Sequence, residues 1–400
     1  FVFEANRFIL VAKRDKITLS FVDTFNYFQF SLRKMGEILG SADSQKLKVD
    51  FDSVIDEDLL VYCRKDVFVL AKFFTSFCTL CIKYNVILGY TIASCAFSTF
   101  TTQYLPCNII KSSVELEEGL EKESYYGGRV ECSRLGRFEG KFFMVDINSM
   151  YPYVMRNCKL PIEPTENKTN CYIADCTVET FKPCLPKRIN GKLCFPIGKF
   201  RGVWCSAELE NPEIKILEVH KIQYYKSAIL FRRYVDVFYG LKKRNVNALE
   251  VLFAKLMLNS CYGKYGQKNY QTIECGNTTI SNGIHKTDVG TILVLNGQMF
   301  MTETCGYKKS SRVAVASFIT SYARRLLFDS IAKSGFNNNF YRDTDSLILN
   351  EAGYTNLGNT ISDKLGEWKL EDTSDKLYIR GAKLYHFGKK LKVKGVSKPS

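Results

Sequence analysis

The chain has 400 residues, of which 46% are hydrophobic, so it can bury more than one core, because single cores stop growing beyond ~250–300 residues. Lysine and arginine outnumber aspartate and glutamate by 56 to 41, and the net charge of +15 favours a polyanionic partner such as nucleic acid or an acidic membrane surface. No stretch reaches the ~20 apolar residues of a membrane span, and fifteen scattered cysteines in a long chain argue against a disulfide-stapled secreted protein. We therefore expect a multidomain protein of a reducing intracellular compartment with no membrane segment.

The first ninety residues combine strand and helix patterns. Residues 17–30 are rich in β-branched and aromatic residues, and the segment to Gly40 reads as a turn and a short helix. From Asp56 to Tyr84 apolar positions recur at helical spacing, with Asp56 as a candidate N-cap. On this helix Tyr62 and Asp66 lie four residues apart and share a face. On spacing alone, a surface tyrosine and aspartate is the better interpretation.

An apolar strand is predicted where the sequence reads FFMVDINSMYPYV, residues 142–154. The strand runs out at Asp146, and a turn returns through Tyr151 and Pro152. A carboxylate at the end of a buried strand points into a cleft, although an isolated aspartate here is better explained as a helix N-cap. The assignment therefore depends on a second acidic segment.

The middle of the chain alternates between strand and helix patterns. Between Pro161 and Pro212 short β-like runs alternate with turn signals, which predicts an inserted β-rich subdomain. A long helical pattern follows over Tyr234–Cys261, then a polar, glycine-dotted stretch, and then a helix from about Arg312 to Lys333. The whole chain therefore reads as a mixed α/β protein.

Polar residues form a stripe on the predicted helix 249–266. Lys255, Asn259 and Tyr262 fall at i, i+4 and i+7, and burying an unpaired lysine would be costly, so the stripe is expected to face a cleft. Lys242, Lys243 and Arg244 add positive charge upstream. For these three residues a solvated basic face and a phosphate contact are equally good interpretations.

The second acidic segment is NFYRDTDSLILN, residues 339–350. Asp343 and Asp345 stand two residues apart between β-like flanks, so strand alternation predicts that both lie on one face of a hairpin. Two such carboxylates repel each other unless a cation lies between them, and hard oxygen ligands suit Mg²⁺. Together with Asp146, they predict a two-metal site for in-line phosphoryl transfer.

Three segments together resemble the signatures of family B DNA polymerases, which read DxxSLYP, KxxxNSxYG and YxDTDS. They stand here in the same order as DINSMYP, KLMLNSCYG and YRDTDS, with Met150 in place of leucine. YYGGR at Tyr125–Arg129 is similar to the YxGG element of the protein-primed branch, and KLY at Lys383–Tyr385 is similar to its KxY element. The resemblance implies a DNA-directed DNA polymerase for an organellar, viral, linear-plasmid or transposon-like genome.

The resemblance also implies a role for each matching residue. Asp146 and Asp345 become the ligands of two Mg²⁺ ions, and Asp343 becomes the third catalytic acid. The residues implied to bind the nucleotide are Tyr151, Lys243, Lys255, Asn259 and Tyr262. The residues implied to contact DNA are Tyr125, Gly127, Gly128, Arg129, Lys383 and Tyr385. The implied partners are a DNA template and primer, dNTPs and, in this branch, a terminal protein primer.

The implied fold is an α/β (α+β) multidomain arrangement with a ribonuclease H-like exonuclease remnant, a family B palm and fingers, and a β-rich insertion. The implied boundaries are 1–90 for the partial 3′–5′ exonuclease-like domain, 91–160 and 311–390 for the two parts of the palm, 161–234 for the β-rich insertion, 235–266 for the fingers, 267–310 for a second insertion and 391–400 for the start of a thumb.

Some features depart from a complete polymerase of this branch. Tyr62 and Asp66 match the YxxxD exonuclease motif, but residues 1–55 hold neither a DxE strand nor an N-x-x-x-F/Y-D segment. Since the chain also starts at Phe1 and stops where a thumb would continue, we expect a fragment cut at both ends. A reverse transcriptase, an RNA polymerase and a catalytically inactive nucleic-acid-binding fragment are the alternatives. Mitochondrial, cytoplasmic and viral settings all stay open.

Overall fold

The computed structural model describes residues 2–4, 7–45, 47, 56–110, 115–287, 290–307 and 311–393. The chain forms two compact units, and each unit combines two separated stretches of sequence. The first unit comprises Phe1–Leu105 with Arg233–Ser311, and the second comprises Pro106–Arg232 with Arg312–Ser400. Among the described residues, no helix has the length and apolar character needed to cross a membrane.

Strands and helices follow one another along the whole described chain. The strands are β1 (Val2–Glu4), β2 (Arg7–Arg14), β3 (Ile17–Val22), β4 (Val130–Cys132), β5 (Gly136–Ile147), β6 (Leu160–Thr165), β7 (Tyr172–Thr180), β8 (Lys187–Ile189), β9 (Lys192–Cys194) and β10 (Gly198–Cys205). They continue with β11 (Ile214–Ala228), β12 (Lys268–Asn277), β13 (Gly283–Thr287), β14 (Gly290–Leu295), β15 (Gln298–Tyr307), β16 (Asn339–Asp343), β17 (Ser346–Asn350), β18 (Trp368–Gly381), β19 (Leu384–Phe387) and β20 (Lys390–Val393). The helices are α1 (Leu32–Leu39), α2 (Asp56–Lys83), α3 (Ile92–Thr99), α4 (Glu115–Ser124), α5 (Met150–Asn157), α6 (Ser206–Leu209), α7 (Arg232–Arg244), α8 (Ala248–Ser260), α9 (Val313–Ser334) and α10 (Glu351–Leu357).

The first unit is held together by an aromatic cluster along α2. Phe28 packs edge-on against Phe73 and Phe77, with ring centroids 4.9 and 5.0 Å apart. Phe77 continues the cluster to Phe253 of α8, at 5.6 Å. Helix α2 begins at Asp56 and ends at Lys83, as its periodicity predicted. The side chain of Asp56, predicted as its N-cap, lies outside what the structure describes.

The single helix predicted over Tyr234–Cys261 is wrong, because two helices occupy this range. Helix α7 ends at Arg244, and Asn245 has a left-handed backbone with φ of 52°. Asn247 then caps α8 by accepting a hydrogen bond from the main-chain nitrogen of Glu250 at 2.8 Å. The polar, glycine-dotted stretch after α8 forms a four-stranded antiparallel sheet in the order β12-β15-β14-β13.

A seven-stranded antiparallel sheet organises the second unit, in the order β20-β19-β18-β5-β17-β16-β4. Strand β5, the apolar strand of the sequence, lies between β17 and β18 in the middle of this sheet. The largely buried helix α9 packs against α5 and α10. The sequence predicted α9 from about Arg312 to Lys333, and the observed bounds of Val313 and Ser334 confirm it.

The stretch predicted to be β-rich contains a second antiparallel sheet, in the order β10-β7-β11-β6, and the short β8-β9 hairpin. Trp204 of β10 is fully buried and its indole nitrogen donates to the carbonyl oxygen of Pro186 at 2.8 Å. Cys176 and Val178 of β7 share the same core. This sheet belongs to the second unit, together with the seven-stranded sheet.

Candidate active site

The three predicted acids lie at the same end of neighbouring strands. Asp146 is the penultimate residue of β5, and it lies directly opposite Ser346, the first residue of β17. The main-chain nitrogen of Ile147 donates to the carbonyl oxygen of Asp345 at 2.8 Å. The end of β5 is therefore bonded to the turn that carries the acidic pair.

Strand alternation does not account for the placement of the acidic pair. Asp343 ends β16, whereas Asp345 lies in the turn that precedes β17. Thr344 between them has a left-handed backbone, with φ of 60°, so the alternation of a regular strand is interrupted. The predicted hairpin is confirmed, but its turn rather than its pleat sets the position of Asp345.

Asp343 is ion-paired with a lysine from the KLY element. The Nζ atom of Lys383 lies 2.6 and 2.8 Å from the two carboxylate oxygens of Asp343. The main-chain nitrogen of Lys383 donates to the hydroxyl of Tyr341 at 2.8 Å, and the ring of Tyr385 packs on Tyr341 with centroids 4.8 Å apart. The KLY element therefore packs on the acidic hairpin and compensates one of its charges.

Asp345 carries a carboxyl group whose charged form is disfavoured. Burial raises the pKa of its carboxyl group above the ordinary value, and the negative charge of Asp343 raises it further. A backbone hydrogen bond and the charge of Lys383 only partly offset this pKa shift. Lys369, which lies opposite Asp146 in the register of β18 and β5, is ion-paired with Glu371 at 3.0 Å.

The donor set fits a divalent cation in part. Carboxylate oxygens are the ligands that Mg²⁺ prefers, and a nearby cation would reverse the penalty on the charged form of Asp345. Within the described ranges, no cluster of three or more histidine, cysteine, aspartate or glutamate side chains is arranged to hold a metal. Asp146 and Asp345 are therefore the residues that would hold it, since Asp343 is paired with Lys383.

The YYGGR element packs against the turn of the acidic hairpin. The main-chain nitrogen of Thr344 donates to the carbonyl oxygen of Arg129 at 2.7 Å. A Cβ atom at Gly128 would approach the side chain of Thr344 to 2.9 Å, so any larger residue here would force a shift. Arg324 of α9 holds the preceding backbone, because its Nη1 donates to the carbonyl oxygens of Tyr126 and Gly127 at 2.8 and 3.0 Å.

Arg129 itself is buried, with 1% of its surface exposed. Its guanidinium donates to Glu131 and to the carbonyl oxygen of Pro183, and it stacks on the ring of Phe195 at 4.1 Å. The DNA contact predicted for this element stays a prediction. Tyr125 is half-buried, and Gly127 is exposed.

The tyrosine predicted to sit beneath the sugar lies at the start of α5. Ser149, with φ of 52°, reverses the chain after β5, and Tyr151 is the second residue of the helix that follows. Tyr151 is half-buried, while its neighbours Met150 and Pro152 are buried. Met150 therefore occupies a core position, where exchange with leucine conserves volume.

The predicted nucleotide-binding residues of the helical region belong to the first unit. Lys255 and Asn259 are exposed on α8, so the expectation that this lysine is not buried is confirmed. Tyr262 lies beyond α8, in a 3₁₀ turn, which corrects its predicted place on the helix. Lys243 is exposed at the end of α7.

The residues of the predicted exonuclease motif lie on one helix. Tyr62 and Asp66 are both half-buried on α2, one turn apart. Their catalytic role stays a prediction.

Two buried residues that support the site were not predicted from the sequence. Arg324 forms a two-bond ion pair with Glu208, at 2.7 Å for each bond, across 116 positions of sequence. An arginine inside the apolar pattern of α9 is a hint, because an unpaired arginine there would be costly. Its partner has no local signature.

Comparison with known proteins identifies the family. A family model described as "DNA polymerase type B, organellar and viral" matches residues 37–342. The chain belongs to this family, which confirms the resemblance drawn from the motifs.

Curated relatives are longer than this chain. A "Probable DNA polymerase" of Neurospora intermedia is 26% identical over 375 residues, which cover 83% of this chain and 38% of the relative. The "DNA-directed DNA polymerase" of Enterobacteria phage PRD1 is 27% identical over 378 residues, which cover 86% of this chain and 64% of the relative. The chain therefore spans less than two thirds of the length of either relative.

Solved structures establish the fold. "Phi29 DNA Polymerase, orthorhombic crystal form" has a TM-score of 0.70 at 19% identity, with 94% of this chain and 69% of that chain covered. The same polymerase "complexed with primer-template DNA and incoming nucleotide substrates (ternary complex)" has a TM-score of 0.71 at 17% identity, with 98% and 76% covered. The predicted α/β architecture agrees with this fold.

Proposed function

We propose that this chain carries the polymerase centre of a template-directed DNA polymerase, which transfers a nucleotide from a dNTP to the 3′-hydroxyl of a primer. The single observation that carries the proposal is the meeting of Asp146 with the Asp343–Asp345 turn at one end of the seven-stranded sheet. Family membership supports the same reaction class. The net charge of +15 supports DNA as the partner.

Asp146 and Asp345 would hold the divalent cations, for which Mg²⁺ is the proposed identity. Bound there, such ions activate the attacking oxygen and stabilise the leaving oxygen of a phosphoryl displacement. Asp343 has a supporting role, because Lys383 neutralises its charge and fixes its orientation. Tyr151 is proposed to crowd a 2′-hydroxyl and so to select deoxyribose.

The exposed residues of α7 and α8 are proposed to bind the incoming dNTP. Lys243 and Lys255 suit the triphosphate, and Asn259 and Tyr262 suit the base and the sugar. The proposed DNA-contacting residues are Tyr125, Gly127, Gly128, Arg129, Lys383 and Tyr385. Protein-primed initiation with a terminal protein is proposed from the family resemblance, and the exonuclease remnant around Tyr62 and Asp66 has the same basis.

A reducing intracellular setting is part of the proposal. The fourteen cysteines whose side chains the structure describes are free, and burial raises the pKa of several thiols, for example that of Cys158 to about 11. Such thiols are poorly reactive. The mitochondrion and a virus-infected cell both fit.

The test is primer extension on a defined DNA template with Mg²⁺, using this chain, a version extended at both termini, and the Asp345→Asn variant of each. Extension that Asp345→Asn abolishes supports the proposal. Extension by the long version alone makes this chain a nucleic-acid-binding part of the enzyme. Extension that survives Asp345→Asn over a range of Mg²⁺ concentrations would sink the proposed role of this turn.

A further inference from the structure

Two buried arginines share one carboxylate at the β4 edge of the seven-stranded sheet. Arg129 precedes β4, and Arg342 lies on β16, with 1% and 6% of their surfaces exposed. Glu131 of β4 lies directly opposite Arg342 in the strand register. Its Oε2 atom accepts from Nε of Arg129 at 2.7 Å and lies 3.5 Å from Nε of Arg342. The group therefore combines two positive charges with one negative charge.

The two arginines differ in how their donors are used. The Nε, Nη1 and Nη2 atoms of Arg129 all have partners, in Glu131 and in the carbonyl oxygen of Pro183. Arg342 donates from Nη2 to the hydroxyl of Ser133, but its Nε and Nη1 atoms are buried and have no hydrogen-bond partner within the described residues. Leaving such donors unsatisfied is costly.

A cavity of about 360 Å³ borders this group of residues. Arg129, Glu131 and Arg342 line it together with Pro183 and Ala382. Neighbouring residues of a strand point to opposite faces, so Arg342 lies on the other face of β16 from Asp343. The cavity is therefore separate from the acids of the candidate active site.

We propose that this cavity binds a phosphate group, and that the phosphate belongs to a nucleic-acid strand. A planar guanidinium presents paired N–H donors that match phosphate oxygens, and the surplus positive charge favours an anion. The site differs from the surface cations of the chain because Glu131 contacts both guanidinium groups. Binding here therefore costs less side-chain conformational entropy than ordering a long exposed lysine or arginine.

The surroundings favour a strand over a free ion. Three exposed cations are near these residues in the chain. Lys182 immediately precedes Pro183, Arg188 follows Pro183 by five residues, and Arg134 follows the end of β4 by two. An extended polyanion can contact several of these cations at once, and a single phosphate ion cannot. This assignment to a strand rests on the proposed function, whereas binding of the phosphate group does not.

The test of phosphate binding uses thermal unfolding of the full chain in inorganic phosphate against chloride at equal ionic strength. We expect phosphate to raise the Tm of the wild type and of the charge-matched control Arg325→Gln, whose arginine is paired with Asp329 on α9. Arg342→Met should lose the phosphate-dependent rise. It should keep the chloride Tm of the wild type, because Glu131 retains Arg129. An equal phosphate response of all three proteins would overturn the proposal.

For a second variant, Glu131→Gln, we expect a larger rather than a smaller phosphate-dependent rise in Tm. Glu131→Gln removes the competing carboxylate and leaves two buried arginines without a counter-charge. We expect a lower Tm than the wild type in chloride and a larger rise in phosphate. This variant keeps the proposal testable if Arg342→Met does not fold, since a Glu131→Gln protein with the wild-type response to phosphate contradicts it.

The source of the phosphate is decided by binding of a primer–template duplex at several salt concentrations. One lost phosphate contact should reduce the slope of log K against log salt by about one for Arg342→Met. Its affinity at low salt should fall about tenfold or more, while Arg325→Gln keeps the wild-type slope. A response to inorganic phosphate with an unchanged slope would make a free phosphate the ligand and would overturn the strand assignment. A failed primer-extension assay alone would count against the proposed function and not against this site.

Discussion

Arg324 and Arg342 are both buried in the second unit, with 3% and 6% of their surfaces exposed, yet their surroundings are opposite. Arg324 forms two 2.7 Å bonds to Glu208 and donates to two carbonyl oxygens and to Ser321. Burial lowers the pKa of Arg324, but the charge and hydrogen bonds of Glu208 outweigh burial and raise it overall. Burial and the charge of Arg129 lower the pKa of Arg342 to about 10.

This comparison separates buried charges that support the fold from buried charges that are poised for a ligand. A fully paired ion is costly to disrupt, because removal of one partner leaves the other buried and unpaired. A poorly paired ion already carries its desolvation cost, so neutralising it should cost little or even stabilise the fold. Asp345 at the acidic turn belongs to the second group, as Arg342 does.

The largest expected effect is the loss of activity in Asp345→Asn. We expect primer extension by an active protein to fall by at least ~10²–10³, because the proposed function makes Asp345 a metal ligand of the reacting centre. Asp146→Asn combined with Asp345→Asn should be little worse than either single change, since residues that act as one unit give non-additive losses. The exposed Asp329→Asn variant is the charge-matched control.

The same variant should not lose stability. The folded pKa of Asp345 is raised, so its contribution to stability is fully present below the unfolded pKa and is lost as pH rises through the folded pKa. At neutral pH without divalent cations, the free energy of unfolding of Asp345→Asn should therefore equal or exceed that of the wild type, and the difference should vanish in acid. Denaturant unfolding at several pH values measures this. A strongly destabilised Asp345→Asn variant would show instead that the charge of Asp345 supports the fold.

Arg324→Met tests the other side of the comparison. It leaves Glu208 buried without its partner and frees the carbonyl oxygens of Tyr126 and Gly127, so we expect a loss of about 3–5 kcal/mol in the free energy of unfolding. Arg342→Met, with the same change in side chain, is the matched control and should cost far less. Similar losses in the two variants would remove the distinction between the two arginines.

Gly128→Ala tests how tightly the YYGGR backbone packs on the acidic turn. A Cβ atom here would approach Thr344 to 2.9 Å, and overpacking of this kind costs about 1–3 kcal/mol. Gly127→Ala is the matched control, because a Cβ at Gly127 meets no atom within 4 Å. Equal stability of the two variants in denaturant unfolding would show that the Thr344 side chain moves aside without cost.

The sequence predicted the meeting of the three acids better than the contacts that support them. Asp146 and the Asp343–Asp345 pair were found because strand ends and acidic spacing are local patterns, and α9 was found from its apolar pattern. The break between α7 and α8 was missed, because Asn245 changes the backbone without interrupting the helical spacing of side chains. The pairs Lys383–Asp343 and Arg324–Glu208 join residues 40 and 116 positions apart, so no local pattern reports them.

The buried state of Arg129 was missed for a related reason. Its motif gives no sign that Pro183 and Phe195, more than fifty positions later in the chain, cover the guanidinium. A motif identifies a residue type at a position, and only the tertiary structure identifies which neighbours enclose it.

The smallest expected effect concerns the buried carboxylate of Glu250, whose ion-pair partner is exposed to solvent. Glu250 of α8 is buried, but its partner Lys83, at 3.0 Å, is more than half exposed, and Tyr84 donates a second hydrogen bond. The bond from Tyr84, followed by that from Lys83, lowers the pKa of Glu250. A lowered carboxyl pKa contributes stability that is present above the unfolded value of about 4.3 and is lost as pH falls through the folded pKa. Glu250→Gln should therefore lower the free energy of unfolding by about 1 kcal/mol at neutral pH, and the difference from the wild type should disappear in acid.

Glu351→Gln is the control, because Glu351 and its partner Lys141 are both exposed, and it should show almost no difference at any pH. A pH-independent loss in Glu250→Gln would assign the effect to packing at the start of α8 rather than to charge.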